Sequence, residues 1–205
     1  GMNLLTDDGL VSKVTAAPVG MAPLFSARIA KNEIPAFGLP LGVFTKLLRT
    51  TAAHEPGLIT AVGKGTFCDP ELEACRLNKA AEEPEAPVSK IELYGKDYLF
   101  YPSLKLDACF ICAGCADEDG NLSMVDEPII GDQFLMAAAV HNQGGKVIAQ
   151  VNRIVKRGSI RPRDVFIHAS MVDYIVQATP EYSAPGYDCP EFRPELVSSG
   201  VNAVK

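Results

Sequence analysis

The chain has 205 residues, of which 47% are apolar and 21% charged, and it carries a formal charge of −6 at neutral pH. That length suits one well-cored domain with at most a small insertion, and its apolar runs are far too short to span a bilayer. Lysines and arginines are scattered rather than gathered into a stripe, so nucleic acid is not expected as a partner, and neither is a membrane.

In chain order, apolar segments of strand length alternate with helical patterns, which is the signature of an α/β fold with a mostly parallel sheet and flanking helices. Residues 13–17 and 33–37 read as strands. Leu41, Phe44, Leu48 and Ala52 then repeat at helical spacing until Pro56-Gly57 stops the pattern. Residues 57–62 are the next strand, and they lead into the glycine-rich turn Gly63-Lys64-Gly65-Thr66-Phe67. That strand is expected to be parallel, which puts the turn where open α/β sheets bind ligands; the plain alternative is a tight turn.

Residues 79–88 are polar and contain two prolines, so they read as a surface linker. The period-two pattern that follows, centred on Gly95, predicts an inserted hairpin over 88–104, standing off the main sheet and removable without unfolding the rest. Residues 107–113 and 146–151 are strands flanking a helix. The helix is expected to follow Asp126 as its cap, with Pro128 in its first turn, and to end at Gly144-Gly145. A βαβ unit of this kind makes its strands parallel and places 107–113 in the sheet interior, buried on both faces. A last strand is expected at 171–178, with an extended tail over 179–205, so that 1–205 forms a single α/β domain.

Half of the six cysteines fall in one short run, Cys109, Cys112 and Cys115. Two-residue spacings between thiols suit a zinc or iron–sulfur site, but only in a loop. A strand sends Cys109 and Cys115 to one face and Cys112 to the other, so the three are not expected to share an ion. A fourth ligand would have to come from Cys68, Cys75 or Cys189, none of which sits in a second close-spaced pair. The favoured reading is cysteine as a small hydrophobe, with no metal, and with Cys115 alone exposed where the strand opens into the ADEDGN turn. With no export signal visible, the expectation is free thiols in a reducing cytoplasm. His54 and His141 fall at helix C-termini, where the dipole favours them. His168 lies in an apolar stretch and is expected to be packed.

Several longer strings point further. KNEIPAFGLPLGVFTKLLR (31–49), GLITAVGKGTFCDPELEACRLN (57–78), YGKDYLFYPS, ADEDGNL, GGKVIAQVNRI and VDYIV, in that order, resemble the family I coenzyme A transferases. The resemblance is to the alpha-half of the acetate and propionate CoA-transferase type. It implies a sheet domain of the NagB/RpiA/CoA-transferase kind. It also implies a double displacement, in which a glutamate attacks an acyl-CoA thioester, becomes a glutamyl-CoA thioester, and passes CoA to a second carboxylic acid. CoA is thus a substrate, and no cofactor is expected.

The nucleophilic glutamate belongs to the family's second half, and Glu55 and Glu118 do not match its context. The glycine-rich oxyanion loop belongs to a βα unit that would precede Met2. No catalytic residue is therefore assigned. The substrate-side turns implied are Gly63, Lys64, Gly65, Thr66 and Phe67, with Gly114, Cys115 and Ala116. Here the chain departs from the family pattern: Lys64 replaces an apolar residue, Leu41 a glutamine, Ala16-Ala17-Pro18 a Gly-Gly-His segment, and Cys112-Ala113-Gly114-Cys115 an Arg-Gly-Thr-Thr segment.

The function this implies is half of a cytoplasmic CoA-transferase acting on an acyl-CoA and a small carboxylate, completed by a beta-half or a homo-oligomer and inactive alone. The rival is a degenerate, non-catalytic relative that binds an acyl-CoA or a protein. A thiol or metal protein using the cysteines is a third, weaker reading.

Overall fold

The computed structural model describes residues 2–179 except 8, 21 and 128. The expected tail and Cys189 lie outside the described residues, as does Pro128. The chain divides into two compact units, Gly1–Leu104 and Lys105–Lys205, where the sequence reading sets out one domain.

In the first unit, Val14–Ala16 (β1) and Ala36–Gly38 (β2) pair in parallel. The helix joining them, Pro23–Ala30 (α1), buries Phe25 and Ile29 and is absent from the sequence reading. Its signals are short but physical: a proline opens its first turn, and two apolar side chains four residues apart fall on one face. Helix Leu41–Ala52 (α2) forms where the periodicity places it, but its buried stripe runs through Val43, Leu47, Leu48 and Thr51. Leu41, an expected core position, is 65% exposed. The buried face is turned by about a quarter of a turn from the expected one and shares Leu48 with it.

Strand Gly57–Thr60 (β3) pairs antiparallel with Lys96–Pro102 (β5), which pairs antiparallel with Ser89–Leu93 (β4), in the order β3-β5-β4. The expected parallel setting of residues 57–62 is therefore wrong. The hairpin forms through Tyr94 and Gly95, both at positive φ, as a two-residue turn that matches strand twist requires. It does not stand off. β5 is the central strand of its sheet, and Leu99 and Tyr101 are fully buried with Phe37, Val43, Leu47, Cys68 and Cys75. Excising 88–104 would remove the centre of that core. Ala81 and Val88, from the stretch read as a linker, are buried in it too.

In the second unit, Ala108–Asp117 (β6), helix Gln133–Asn142 (α3) and Lys146–Val155 (β8) form the expected parallel βαβ unit. Leu122–Ser123 (β7) adds antiparallel to β6, and Tyr174–Gln177 (β9) adds parallel to β8, giving the order β7-β6-β8-β9. Cys109, Ile111 and Ala113 of β6 share a core with Val147, Ala149 and Val151 of β8 and with Ala137 and Val140 of α3. α3 starts well after Asp126, whose carboxylate is instead ion-paired to Arg153. Mixed α/β architecture is thus what the sequence pattern implies. No helix among the described residues is long and apolar enough to cross a membrane.

Candidate functional site

The turn after β3 is held closed by its own groups. Gly63 lies at φ 103°, and a β-carbon there would sit 2.5 Å from the Tyr101 hydroxyl oxygen and 3.1 Å from the Cys68 β-carbon. Only glycine fits such a position. Tyr101 comes this close because its hydroxyl donates to the Val62 carbonyl at 3.0 Å. Burial, reinforced by the neighbouring Cys75 and Cys68 thiols and by Asp69, pushes this phenol well above its ordinary value, so it stays a neutral donor. The Thr66 hydroxyl donates to the Gly63 carbonyl at 2.7 Å, and the Lys64 ammonium to the Asp97 carbonyl at 2.9 Å.

Asp69 organises the rest. Its carboxylate accepts from the Gly65 amide at 2.8 Å and the Glu71 amide at 3.1 Å. Those two bonds, the Gly65 bond first, hold its carboxyl below the usual carboxylate range, helped by Lys90 and Lys64. A depressed folded pKa means the bonds contribute fully above the unfolded value near 3.8 and are lost as pH falls through the lower folded value. The Gly65 and Glu71 amide resonances are therefore expected to shift together below pH 3.8, and to be insensitive to acid in Asp69→Asn. Titration of those amides above pH 4.5 would show that Asp69 does not hold them.

The second candidate segment is strand rather than turn. β6 continues to Asp117, with Cys115 opposite Ser123 of β7 and Arg153 of β8. Cys115 is therefore buried, at 7% exposure, and burial pushes its thiol up. The exposed cysteine of the run is Cys112, on the same open face of β6 as Phe110, so 107–113 is buried on one face and not on both as expected. The burial of Cys115 is due to the Asp117 side chain, which accepts from the Asp119 amide at 3.1 Å, the Asn121 amide at 2.9 Å and the Asn121 side-chain nitrogen at 3.0 Å. The turn so formed folds β7 back along β6 and covers Cys115. Gly114 is required by close approach, since a β-carbon there would lie 2.9 Å from that of Asp126.

Beside Cys115, a recess of about 200 Å³ is lined by Ser123, Asp126, Arg153 and Arg161. Arg153 is paired with Asp126, and Arg161 with Asp164. A larger cleft of about 540 Å³ lies beside the Asp117 turn, among Phe134, Phe166, Met171, Arg157 and His168. His168 is exposed and not packed as expected; its ring accepts from the Ser170 amide at 3.1 Å and caps the short helix Ala169–Met171. Glu118 accepts from the Arg157 amide. Sequence reasoning missed Asp69 and Asp117 as organisers; the Asp-x-x-x-Asn spacing of Asp117 and Asn121 was the available signal.

The two candidate segments lie in different units, Gly63–Phe67 in the first and Gly114–Ala116 in the second. In the first the Gly65 amide is already used within the chain, which leaves binding and positioning by exposed side chains such as Lys64, and in the second Gly114–Ala116 is buried within β6.

Comparison with known proteins adds what the geometry leaves open. The sequence model of the family described as Coenzyme A transferase matches residues 1–178. The caffeate CoA-transferase of Acetobacterium woodii is 41% identical over 179 residues, 87% of this chain and 34% of that protein. The acetate CoA-transferase YdiF of Escherichia coli K12 is 36% identical over 176 residues, 86% of this chain and 33% of that protein. The chain thus spans about a third of the length of these curated relatives. The structure of the acyl-CoA transferase YdiF from E. coli O157:H7, a thioester complex with CoA, superposes with a TM-score of 0.84 at 35% identity, over 91% of this chain and 38% of that one. Glutaconate CoA-transferase of Acidaminococcus fermentans shares the fold, with a TM-score of 0.66 at 19% identity. On the extent of the family match, which covers residues 1–178, this chain belongs to the coenzyme A transferase family.

Proposed function

We propose that this chain is the alpha-half of a CoA-transferase that moves CoA between an acyl-CoA and a short-chain carboxylate once a beta-half completes it. One observation carries the reading: the superposition on an acyl-CoA transferase solved as a CoA thioester extends over 91% of this chain but only 38% of that one. The half in hand supplies framework and substrate-side surface, the surface chiefly from Gly63–Phe67, while Gly114–Ala116, buried within β6, serves as framework behind it. The nucleophile comes from the other half. Neither Glu55 nor Glu118 suits that role, since Glu55 is exposed and Glu118 is engaged by the Arg157 amide.

The chemistry asks for a carboxylate held against preorganised amide donors, and the donors named here are taken: Gly65 by Asp69, Asn121 and Asp119 by Asp117. The chain by itself is therefore expected to show no CoA transfer from acetyl-CoA to propionate, while transfer appears when a beta-half from a YdiF-type enzyme is supplied with it. Borohydride should trap a glutamyl-CoA thioester on the beta-half alone. Transfer at an ordinary enzymatic rate by this chain alone, abolished by Glu55→Gln or Glu118→Gln, would overturn the assignment. The self-closed turns also favour a second reading, a non-catalytic relative that binds an acyl-CoA, which predicts saturable CoA binding and no transfer with any beta-half.

A further inference from the structure

Cys68 and Cys75 stand at the two ends of the segment that Asp69 organises, and both are fully buried in the first unit's core. The Cys75 amide donates to the Phe67 carbonyl at 2.9 Å, which ties the two ends together. Bond lengths then limit the Cys68 and Cys75 α-carbons to about 7 Å apart or less, the range a disulfide can bridge. Their side chains also point the right way. The Cys75 thiol donates to the Cys68 carbonyl at 3.7 Å, so its side chain is turned toward Cys68. The Cys68 thiol donates to the Gly38 carbonyl at 3.7 Å, which fixes it on the inner side of the segment.

The backbone adds a second oddity. Ala74 and Cys75 are both left-handed, at φ 50° and 67°, where glycine would relieve strain of about 1 kcal/mol or more per residue. A side chain is thus retained at a position that disfavours one, and it is the side chain that faces Cys68.

We infer that Cys68 and Cys75 form a redox-active dithiol, a modification site that closes to an internal disulfide with hydrogen peroxide as the small oxidant. The step balances simply. One sulfur, as thiolate, takes an oxygen from the peroxide, giving a sulfenic acid and releasing the second oxygen as water. The other thiol attacks the sulfenic sulfur, the S–S bond forms, and the hydroxyl leaves as a second water. Each sulfur gives up one electron, and both thiol hydrogens end in water. Burial holds the Cys75 thiol protonated, so closure is slow and selects a small neutral oxidant over a bulky disulfide such as oxidised glutathione. Once formed, the bond makes a covalent ring of Cys68–Cys75 directly after the Gly63–Phe67 turn.

The test uses the full chain. After graded peroxide treatment, quenching, denaturation and alkylation, trypsin cuts after Lys64 and Arg76, so both thiols fall in one peptide, Gly65–Arg76. The expected result is a peptide that carries neither alkyl adduct and has lost two hydrogens, restored to double alkylation by dithiothreitol. Cys68→Ser should leave Cys75 alkylatable at peroxide doses that close the wild-type pair. A wild-type peptide that stays doubly alkylated at doses that oxidise the exposed Cys112, or that gains oxygen on one sulfur without forming the ring, would overturn the proposal. Because the wild-type measurement needs no variant, misfolding of Cys68→Ser cannot rescue it.

Discussion

Replacing Tyr101 by alanine is expected to destabilise the first unit by about 3–5 kcal/mol, a large share of the stability of a domain this size. The ring is fully buried at the centre of the sheet, packed with Leu99, Cys68 and Cys75, so truncation leaves a cavity that rigid neighbours refill only in part. The hydroxyl matters separately, because it fastens the Val62 carbonyl and is what Gly63 is shaped to pass. Tyr101→Phe keeps the packing and should cost about 1 kcal/mol. Urea unfolding followed by circular dichroism would measure both. If alanine and phenylalanine cost the same, the packing argument fails, and the hydrogen bond is the larger part.

Asp117→Ala carries the largest expected effect in the second unit, about 3 kcal/mol, because three donors lose a buried acceptor at once. The consequence is local and specific. Without the carboxylate the turn no longer returns β7 along β6, and Cys115 loses its cover. The variant should therefore unfold at lower denaturant and also expose a thiol: Cys115 alkylates in native conditions, where in the wild type only Cys112 of the run is open. Burial works against ionisation of Asp117, but its bonds from Asn121, Asp119 and Gly120 prevail and hold its pKa below the usual range. In the wild type, acid should thus reproduce the exposure of Cys115 only below the ordinary aspartate value. Slow alkylation of Cys115 in Asp117→Ala would show that β7 is held by something else, such as the Leu122 amide bond to Ile167.

Much of the framework was legible because it rests on local rules. The crossover from β6 through α3 to β8 follows from two apolar strand-length runs with a helix between them, and the hairpin turn from a Tyr-Gly pair inside a period-two pattern. What misled was geometry that no local rule reports. Residues 57–62 look identical whether their partner runs parallel or antiparallel, and the partner is β5, some forty residues on in sequence. Cys115 was placed at a strand end because ADEDGN is polar, yet Asp117 turns its polarity inward and extends the ladder by several residues. The Gly63–Phe67 turn is reached from its glycines and its place after a strand, and Gly114–Ala116 through the family resemblance, whereas the groups that shape them, Asp69 and Asp117, give no signal beyond local turn spacing.

The Tyr94–Gly95 turn has a consequence for how the first unit comes together in time. Pairing of β4 with β5 needs only neighbouring residues to meet, an event of microseconds, whereas β3 can join β5 only after the whole of 61–88 has been gathered into a closed loop. The hairpin is therefore expected to exist before its other partner arrives, and the early species would present one side of β5 as an unpaired edge. In pulsed hydrogen exchange during refolding, β5 amides directed at β4 should gain protection ahead of those directed at β3. An open edge of that kind is where two incompletely folded chains can join in place of β3, so the yield of refolding should fall as protein concentration rises, and recover when β3 is given time to close at high dilution.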